Sequence, residues 1–429
     1  MLPTIVEIVR RELCLGCGIC ELSCPYEAIS MAYDSVHGSH HPIINSERCT
    51  NCGLCQKVCF AAHHKIQLNR GNYNYKALLG KHISCYIGYA TDQHLRFKAA
   101  SGGIVTALLT FLLENDYVDG AVVTKMEPGN PPLAKAFIAK NKHELNVATG
   151  SKYCPVILTD AFKAFEQGKR YAIVGLPCQI YAAKKLAEIN NKFKKNVKFY
   201  IGLFCGGVFS YNATVYLLQK YGLKTKNITR LEYRGGGWPG RMLIQSGSSS
   251  IVVPFLEYYP ILAPWFYMNT CMTCTEGLCS QADVSCGDAW IPAIMNKDRI
   301  GTSIVVSRTG IGDKLLKEAE IKRYIKLQKV NTKTILDAQK SMLAFKHLRI
   351  NERLHVLKIL HKYSEGSVGC THVKAKASTF LEEFSILLGR SLASRKNIWP
   401  LFDIYRVSLK TLFNFLTRLK YFKSRLSYF

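Results

Sequence analysis

The sequence predicts an α+β protein in three parts: a small cysteine-rich domain, a larger mixed α/β domain and a basic helical C-terminal tail. Three observations lead to this prediction. Eight cysteines fall within the first sixty residues, short apolar strands and helices alternate through the middle of the chain, and Lys and Arg accumulate towards its end. A chain of 429 residues with 48% apolar content is long enough to bury a core in more than one domain.

The eight N-terminal cysteines form two copies of the spacing C-x-x-C-x-x-C-x-x-x-C. The copies are Cys14, Cys17, Cys20 and Cys24, then Cys49, Cys52, Cys55 and Cys59. This spacing is typical of 4Fe-4S clusters, and in two-cluster ferredoxins the fourth cysteine of each run ligates the other cluster. We therefore predict a two-cluster ferredoxin-like domain over residues 1–70, with one cluster on Cys14, Cys17, Cys20 and Cys59 and the other on Cys49, Cys52, Cys55 and Cys24. A disulfide framework or paired zinc knuckles would be the alternatives.

Three glycines lie inside the cysteine loops. Gly16, Gly18 and Gly53 would allow positive φ angles and close backbone approach, which point amide N–H groups at the cluster sulfurs. The second copy carries Phe60 after its fourth cysteine, where the first copy carries Pro25. This difference affects the loop geometry and leaves the number of ligands unchanged.

The middle of the chain alternates between helical and strand patterns. Ser101, Gly102 and Gly103 precede the apolar helix pattern IVTALLTFLLEN, and a glycine-rich turn at a helix N-terminus favours a phosphate, although an ordinary helix cap is the alternative. The predicted strands YAIVG and KFYIGLFC run into Cys178 and Cys205 respectively. Ligands in open α/β sheets lie beyond the carboxyl ends of strands, so both cysteines are placed where a cofactor would be held, unless they are simply buried thiols.

The segment GGGWPG at residues 235–240 matches the dinucleotide-binding pattern G-x-G-x-x-G. The residues that follow, RMLIQSG, alternate like a strand, whereas the dinucleotide fingerprint requires a helix there. We therefore reject that interpretation. The alternatives that remain are a glycine-rich loop lying against a flat ring system and an ordinary hairpin turn.

Four further cysteines, Cys271, Cys274, Cys279 and Cys286, fall within sixteen residues. They could hold a cluster or a zinc ion by themselves. Together with Cys178 and Cys205 they make six candidates for one third 4Fe-4S cluster. Spacing alone does not choose among the six.

From residue 81 to 346 the chain resembles the coenzyme F(420) hydrogenase/dehydrogenase beta-subunit family, in which F(420) is a 5-deazaflavin hydride carrier. The resemblance rests on seven stretches in one order: FKAASGGIVTALL, ATGSKYCP, AIVGLPCQI, IGLFCGG, YRGGGWPGRM, CMTC with ADVSCGDAW, and GTSIVVSRT. It implies an FAD- and 4Fe-4S-binding domain over residues 80–345, which a ferredoxin-like domain often precedes in this family. A tail then covers residues 346–429.

The resemblance also implies particular site residues. It places the ligands of the third cluster at Cys178, Cys205, Cys271 and Cys274, which leaves Cys279 and Cys286 as extras and gives Cys85, Cys154 and Cys370 no role. The implied FAD contacts are Ser101, Gly102, Gly103, Lys152, Gly236, Gly237 and Trp238. A cation such as Lys152 near the flavin N1 and O2 edge would stabilise the anionic reduced ring.

These parts imply an iron-sulfur flavoprotein oxidoreductase. Hydride from reduced coenzyme F(420) or a similar carrier would reach FAD, and single electrons would pass through the third cluster and the ferredoxin-like domain to a ferredoxin or a redox partner subunit, or in the reverse direction. No protein side chain is needed as a nucleophile, so no acid or base is predicted. The alternatives are a ferredoxin-dependent reductase of an organic substrate, for example in polysaccharide or pigment metabolism, and a non-catalytic electron-transfer subunit of a larger dehydrogenase.

The net charge of +27 predicts an acidic partner, a polyanionic cofactor or an anionic surface. Residues 339–429 carry 17 Lys or Arg against 5 Asp or Glu, and the tail interleaves aromatics with basic residues from residue 397 onward. The tail could lie on an anionic membrane surface, dock a partner or pack on its own domain. The chain starts without a signal-peptide pattern and has no long apolar stretch, so we expect a cytoplasmic protein. The alternative is a protein attached peripherally to the inner face of the membrane. Nucleic-acid binding is disfavoured, because the net positive charge is the single feature that suggests it and no nucleic-acid-binding motif accompanies that charge.

Overall fold

The computed structural model describes residues 5–64, 75–360 and 377–411. Thirteen strands lie within these ranges: β1 Ile29–Asp34, β2 Ser39–Ile44, β3 Ser84–Ala90, β4 Gly120–Glu127, β5 Leu133–Ala139, β6 Tyr171–Gly175, β7 Val197–Leu203, β8 Ile228–Glu232, β9 Arg241–Ser246, β10 Ser249–Pro254, β11 Val284–Asp288, β12 Ser303–Ser307 and β13 Ile325–Val330.

The α-helices of the described ranges are mostly short. They are α1 Val6–Arg10, α2 Ile19–Leu22, α3 Leu54–Lys57, α4 Phe60–His63, α5 Gln93–Lys98, α6 Ile104–Glu114, α7 Lys142–Ala148, α8 Thr159–Lys163, α9 Pro177–Ile189, α10 Asn191–Asn196, α11 Tyr211–Lys220, α12 Phe255–Leu262, α13 Asn269–Thr273, α14 Pro292–Met295, α15 Gly310–Ile321, α16 Thr332–Ala338, α17 Lys340–Leu343, α18 Ile350–Ile359 and α19 Ala377–Ala393. Residues 399–411 are also helical, and a π-helical turn covers Ala344–Leu348. No helix in the described ranges is both long enough and apolar enough to cross a membrane.

A mixed eight-stranded sheet forms the centre of the large domain. Its strand order is β13-β3-β12-β11-β7-β6-β4-β5, with parallel pairing from β11 through β7 and β6 to β4 and antiparallel pairing elsewhere. The pairs β1–β2 and β8–β9–β10 form two small antiparallel sheets outside it. The predicted helix after Gly103 is α6, and the two predicted strands before Cys178 and Cys205 are β6 and β7, so these element predictions are confirmed.

Both faces of the large sheet are covered, which explains its nearly continuous apolar strands. In β4 the side chains of Ala121 and Val123 pack on the α6 side, whereas Val122 packs in a second cluster on the opposite face. This alternation follows from the two-residue period of a strand, and burial on both faces is typical of parallel sheets. The carboxyl ends of β6 and β7 therefore open between two packed layers.

The segment GGGWPG is followed by the strand β9 and not by a helix. This agrees with the expectation on which the dinucleotide-binding interpretation is rejected. Gly236, Gly237 and Gly240 in this loop all have positive φ angles, of 71°, 90° and 90°. Residues with a Cβ rarely adopt such angles, so the loop path itself needs glycine.

The N-terminal domain packs against the large domain. Ile19 and Val58 are buried in the main hydrophobic cluster of the large domain. Hydrogen bonds join the two parts at Leu158 N to Cys17 O (2.9 Å) and at Asn212 Nδ2 to Val36 O (2.8 Å). This contact fixes the position of the cysteine loops relative to the large sheet.

The described part of the basic tail packs on the large domain. Trp399 and Phe402 are buried, and their rings lie 5.3 and 5.5 Å from the ring of Tyr216. On the same helical stretch Leu401 and Ile404 are exposed. Residues 412–429 lie outside the described residues, and the expected attachment of the tail to a membrane or a partner stays a prediction.

Candidate functional site

Cys24, Cys49, Cys52 and Cys55 line one cavity in the N-terminal domain. This is the quartet that the exchange of fourth cysteines predicts, because Cys24 belongs to the first run and the other three to the second. Cys52 is exposed, so this cavity lies at the molecular surface.

Cys14, Cys17, Cys20 and Cys59 make a second group in the same domain. Burial raises the pKa of the Cys20 thiol, and the neighbouring thiols of Cys17, Cys14 and Cys59 raise it further. The fourth cysteine of the second run thus lies beside three from the first run. Ligation by this quartet remains a prediction.

The glycines inside the cysteine loops have the predicted backbone conformation. Gly16, Gly18 and Gly53 have φ angles of 69°, 79° and 76°. The Gly16 amide lies 3.4 Å from Cys14 Sγ, and the Ala28 amide lies 3.3 Å from Cys24 Sγ. Such N–H donors stabilise negative charge on cluster sulfurs and so adjust the reduction potential.

A third group of cysteines converges in the large domain. Cys178 at the start of α9, Cys205 after β7, and Cys271 and Cys274 at α13 all line one cavity, which we call the third cavity because it holds the third cysteine quartet. The adjacent parallel strands β6 and β7 carry the first two to the same sheet edge. Cys279 and Cys286 are not among the residues that line this cavity, so the geometry favours four of the six candidates.

The third cavity lies directly against the N-terminal domain. Leu15 and Phe60 of that domain line it, and the Cys17 thiol is close enough to contribute to the raised pKa of Cys178, after burial and the thiols of Cys205 and Cys271. The Leu158 amide donates to the Cys17 carbonyl at 2.9 Å and holds this edge in place. The quartet that contains Cys17 and the third quartet are therefore neighbours.

The chemistry of these thiols fits iron-sulfur clusters. Burial raises the pKa of Cys14, Cys59 and Cys205 to about 12, so they become thiolate ligands only when a metal supplies positive charge. Among the residues that the structure describes, no group of three or more His, Cys, Asp or Glu side chains is arranged to hold a single metal ion. The four thiolates of a 4Fe-4S cube bind four separate irons and need wider spacing than ligands of one ion.

Lys346 is a residue of the third cavity that the sequence did not reveal. Its side chain is buried, and Nζ donates to the Cys274 carbonyl at 3.3 Å. Burial lowers the pKa of Lys346, but negative charge on the sulfurs of Cys274 and Cys205 outweighs burial and raises the pKa above its ordinary value. No sequence motif marks Lys346 as a residue of this site, because it is a single lysine 72 residues beyond Cys274.

The segments predicted to contact FAD converge on one side of the sheet. The Gly237 amide donates to the Phe97 carbonyl at 2.8 Å, the Trp238 amide to the Arg299 carbonyl at 2.8 Å, and Ser101 Oγ to the Thr302 carbonyl at 2.8 Å. A Cβ on Gly150 would lie 2.8 Å from the Arg234 carbonyl, which brings the loop of Lys152 against the GGGWPG loop. Close packing of the chain therefore accounts for glycine at these positions.

Features of this region suit an anionic flavin nucleotide. Gly103, with φ of 75°, precedes α6, and no side chain caps that helix, so no side-chain oxygen accepts from its first amides, the kind of donor that binds anions at helix N-termini. Phe97 is 51% exposed beside Gly237 and offers an aromatic face. Gly102 N donates to Ser303 Oγ at 2.9 Å, which holds the glycine turn against β12.

Lys152 and Trp238 are both engaged within the protein. Lys152 Nζ donates to the carbonyls of Ala148 and, at 2.9 Å, Gly150, and burial lowers the pKa of Lys152 to about 7. Trp238 Nε1 donates to Asp288 Oδ1 at 3.0 Å, and its ring lies 4.8 Å from that of Trp290. The Trp238 indole is therefore fixed in place by Asp288.

Arg234 and Asp288 form an ion pair at the centre of this region. Arg234 donates from Nη1 and Nη2 to the two Asp288 oxygens at 2.7 and 2.8 Å and from Nε to the Pro239 carbonyl at 2.7 Å. Burial lowers the pKa of Arg234, but the Asp288 carboxylate beside it prevails and raises the pKa above its usual range. The pair locks the GGGWPG loop to the end of β11.

Tyrosine rings occupy the space between this ion pair and the third cysteine quartet. Arg234 Nη1 lies 3.3 Å from the Tyr153 hydroxyl, the Tyr153 ring lies 5.4 Å from that of Tyr259, and the Tyr259 and Tyr267 hydroxyls are 3.2 Å apart. The Cys205 thiol is close enough to Tyr267 to raise the pKa of that phenol, after burial. Packed aromatic side chains thus link the two sites.

Three stretches of the sequence match described protein families. Residues 85–163 and 168–333 match the N-terminal and C-terminal parts of the coenzyme F(420) hydrogenase/dehydrogenase beta subunit, and residues 13–62 match the 4Fe-4S dicluster domain. The two beta-subunit matches together cover more than half of the chain.

Characterised relatives carry related names. The coenzyme F(420)-dependent sulfite reductase of Methanocaldococcus jannaschii is 26% identical over 339 residues, which are 76% of this chain and 48% of that protein. The coenzyme F(420) hydrogenase subunit beta of Methanosarcina barkeri is 28% identical over 251 residues, 56% of this chain and 80% of that subunit. The chain thus spans about half the length of the sulfite reductase.

A solved structure of the F(420)-reducing NiFe hydrogenase complex from Methanosarcina barkeri contains a chain that aligns with 62% of this chain and 90% of its own length. The TM-score is 0.49 and the sequence identity is 22%. With both beta-subunit regions matched in order, and the dicluster region matched ahead of them, this chain belongs to the coenzyme F(420) hydrogenase/dehydrogenase beta-subunit family and carries an N-terminal 4Fe-4S dicluster domain.

Proposed function

We propose that this chain is an electron-transfer oxidoreductase that exchanges hydride with coenzyme F(420) at an FAD site and single electrons with a redox partner through three 4Fe-4S clusters. The observation that carries the proposal is the position of the third cysteine quartet. It lies between the N-terminal quartets on one side and the tyrosines that lead to Arg234 and Asp288 on the other.

The two kinds of cofactor divide the work: FAD exchanges electrons in pairs or singly, and the clusters carry them one at a time. The residues of the chain would then bind the flavin nucleotide and hold it in a fixed orientation. The uncapped amides at the start of α6 and the amine of Lys152 suit the negative charges of a flavin nucleotide, and Phe97 suits a flat ring. The Arg234–Asp288 pair would keep Trp238 and the glycine loop rigid around the ring system.

The exposed N-terminal quartet supports a route to an outside partner. Cys52 is exposed, Cys17 lies beside the third quartet, and the two N-terminal quartets are neighbours, because the Cys55 thiol contributes to the raised pKa of Cys20. Electrons would enter or leave at the Cys52 end, where a ferredoxin or a partner subunit can approach. The route would work in either direction.

The relatives support the choice of hydride carrier. Coenzyme F(420) appears in the names of the hydrogenase beta subunits, the sulfite reductase and a Methanosarcina mazei F(420)H(2) dehydrogenase subunit, which is 24% identical over 73% of this chain. These names belong to the relatives. For this chain coenzyme F(420) is the proposed substrate, and a reductase of an organic substrate that takes electrons from ferredoxin is the second candidate.

The first experiment is anaerobic purification with iron and flavin quantified, followed by rapid mixing with reduced coenzyme F(420) while flavin absorbance is recorded. We expect about twelve irons, four for each of three clusters, one FAD and rapid bleaching. Intact cofactors without bleaching would reject coenzyme F(420) as the donor and favour the second candidate. Absence of flavin would overturn the proposal.

A pair of cysteine variants tests the route itself. Cys178→Ser should reduce the iron content by about four and leave flavin bleaching intact, while the two N-terminal clusters no longer become reduced. Cys286→Ser is the matched control, because Cys286 is a buried cysteine of β11 in the same domain but does not line the cavity. Normal reduction of the N-terminal clusters in Cys178→Ser would contradict the proposed order.

A further inference from the structure

Lys346 is a buried cation without a carboxylate partner. Its side chain is 1% exposed, lines the third cavity and is held in the π-helical turn Ala344–Leu348. Among the described residues no Asp or Glu lies within ion-pair distance of it, and its hydrogen bond goes to the Cys274 carbonyl at 3.3 Å. A buried ammonium is strongly unfavourable unless negative charge compensates it.

The third cavity offers that compensation only when its thiols are ionised. Four thiolates around a 4Fe-4S core give the site a net negative charge in either oxidation state, whereas four neutral thiols give none. Glu276 also lines the cavity, but its carboxylate accepts hydrogen bonds from Ser280 N at 3.3 Å and Ser280 Oγ at 2.8 Å. A 4Fe-4S cluster in this cavity would therefore supply the negative charge that compensates the ammonium of Lys346.

Two arginines from the C-terminal helices hold the same cysteine segment. Arg353 is 0% exposed and donates from Nη1 to the Met272 carbonyl at 2.9 Å, between Cys271 and Cys274. Arg390 donates to Asn269 Oδ1 at 2.9 Å and to the Pro264 carbonyl at 3.0 Å. Hydrogen bonds from beyond residue 345 thus hold the segment that carries two of the four thiols, although the charge of Arg353 is itself paired with Glu383.

We propose that the ammonium of Lys346 raises the reduction potential of the third cluster, and that the C-terminal helices hold this ammonium in place beside the site. The proposal rests on the proposed third cluster. One added electron makes the cluster more negative by one charge, and a fixed ammonium beside it stabilises the reduced form more than the oxidised form. The ammonium of Lys346 would thereby make the third cluster a better acceptor of electrons.

The experiment compares Lys346→Met, Lys346→Arg and Lys340→Met in the full-length protein, purified without oxygen. Iron content is measured first, and the potentials of the clusters are then measured by redox titration followed by electron paramagnetic resonance. Lys340 is exposed and lies six residues before Lys346, so Lys340→Met removes a charge outside the cavity.

We expect one potential to fall in Lys346→Met, corresponding to a reduction equilibrium about tenfold less favourable, or ~59 mV for one electron. Lys346→Arg should keep the wild-type value, and Lys340→Met should change none. If Lys346→Met instead loses about four irons and Lys346→Arg keeps them, the charge is needed to hold the cluster, which also supports the proposal.

Three other results would overturn it. One is about twelve irons and unchanged potentials in Lys346→Met. Another is an equal loss of iron in Lys346→Met and Lys346→Arg, which would show a packing role in place of a charge effect. The third is a wild-type protein with only about eight irons, which would remove the third cluster and with it the proposed function.

Discussion

At the scale of single residues, Lys152 connects flavin binding to pH. Burial lowers its pKa to about 7, so between pH 7 and its ordinary value near 10.5 the free protein carries a neutral amine there. An anionic ligand that needs the charged form must take up a proton on binding. We therefore expect the affinity of the flavin-free protein for FAD to fall as the pH rises from about 6 to 9, by at most about tenfold per pH unit.

Two variants isolate this effect, with FAD fluorescence quenching as the measurement. Lys152→Met should bind more weakly at pH 6 and show a flatter pH profile. Lys152→Arg keeps its charge over this range and should bind well with a flat profile. A wild-type slope that persists in both variants would assign the proton to another group and remove Lys152 from the flavin site.

Prediction at the level of residues is possible where one motif carries the chemistry. The spacing of eight cysteines predicts the composition of the exposed quartet, because the rule that exchanges the fourth cysteines is local in sequence. Arg234 and Asp288 lie 54 residues apart, and no motif joins them. Such a pair forms only when the sheet brings the loop before β9 to the end of β11, so it could not be derived without the fold.

At the scale of elements, the helices α18 and α19 are joined by a buried ion pair. Arg353 and Glu383 are both 0% exposed, with Nε and Oε2 2.8 Å apart, and Arg353 continues to the Met272 carbonyl. Glu383→Gln would leave the Arg353 charge unpaired in the interior. We expect a loss of about 3–5 kcal/mol in the free energy of unfolding, measured by urea denaturation without oxygen.

The adjacent Glu382 provides the control. Its side chain is 40% exposed and pairs with Arg349 at 3.0 Å, so Glu382→Gln should change the free energy of unfolding by less than about 1 kcal/mol. Glu383→Gln should also release iron to a chelator faster, because Arg353 holds the segment between Cys271 and Cys274. Equal destabilisation by the two variants would contradict the role of the buried pair.

Elements of the large domain were predictable because their patterns are local. The helix after Gly103, the strands before Cys178 and Cys205, and the strand after GGGWPG all appear where apolar spacing indicated them. For the C-terminal helices the sequence predicts only a basic tail, because their charge dominates the composition. Their buried partners, such as Met272 for Arg353, lie far away in sequence, so the pattern contains no sign that these helices pack over a site.

At the scale of the whole molecule, the net charge of +27 should govern encounters with a redox partner. Long-range attraction to an acidic ferredoxin acts over a Debye length, about 30 Å at 0.01 M salt and 8 Å at 0.15 M. We therefore expect the second-order rate constant for electron exchange with an acidic ferredoxin to fall at least about tenfold between these salt concentrations. Stopped-flow absorbance of the ferredoxin measures this rate.

A small cationic donor supplies the control for this prediction. Reduced methyl viologen carries positive charge, so salt should leave its rate unchanged or increase it, because salt screens repulsion as well as attraction. Opposite responses of the two donors would show that the surplus charge attracts acidic partners to this protein. Parallel responses would mean that salt acts on the protein itself, and the surplus of basic residues would then need a different anionic partner.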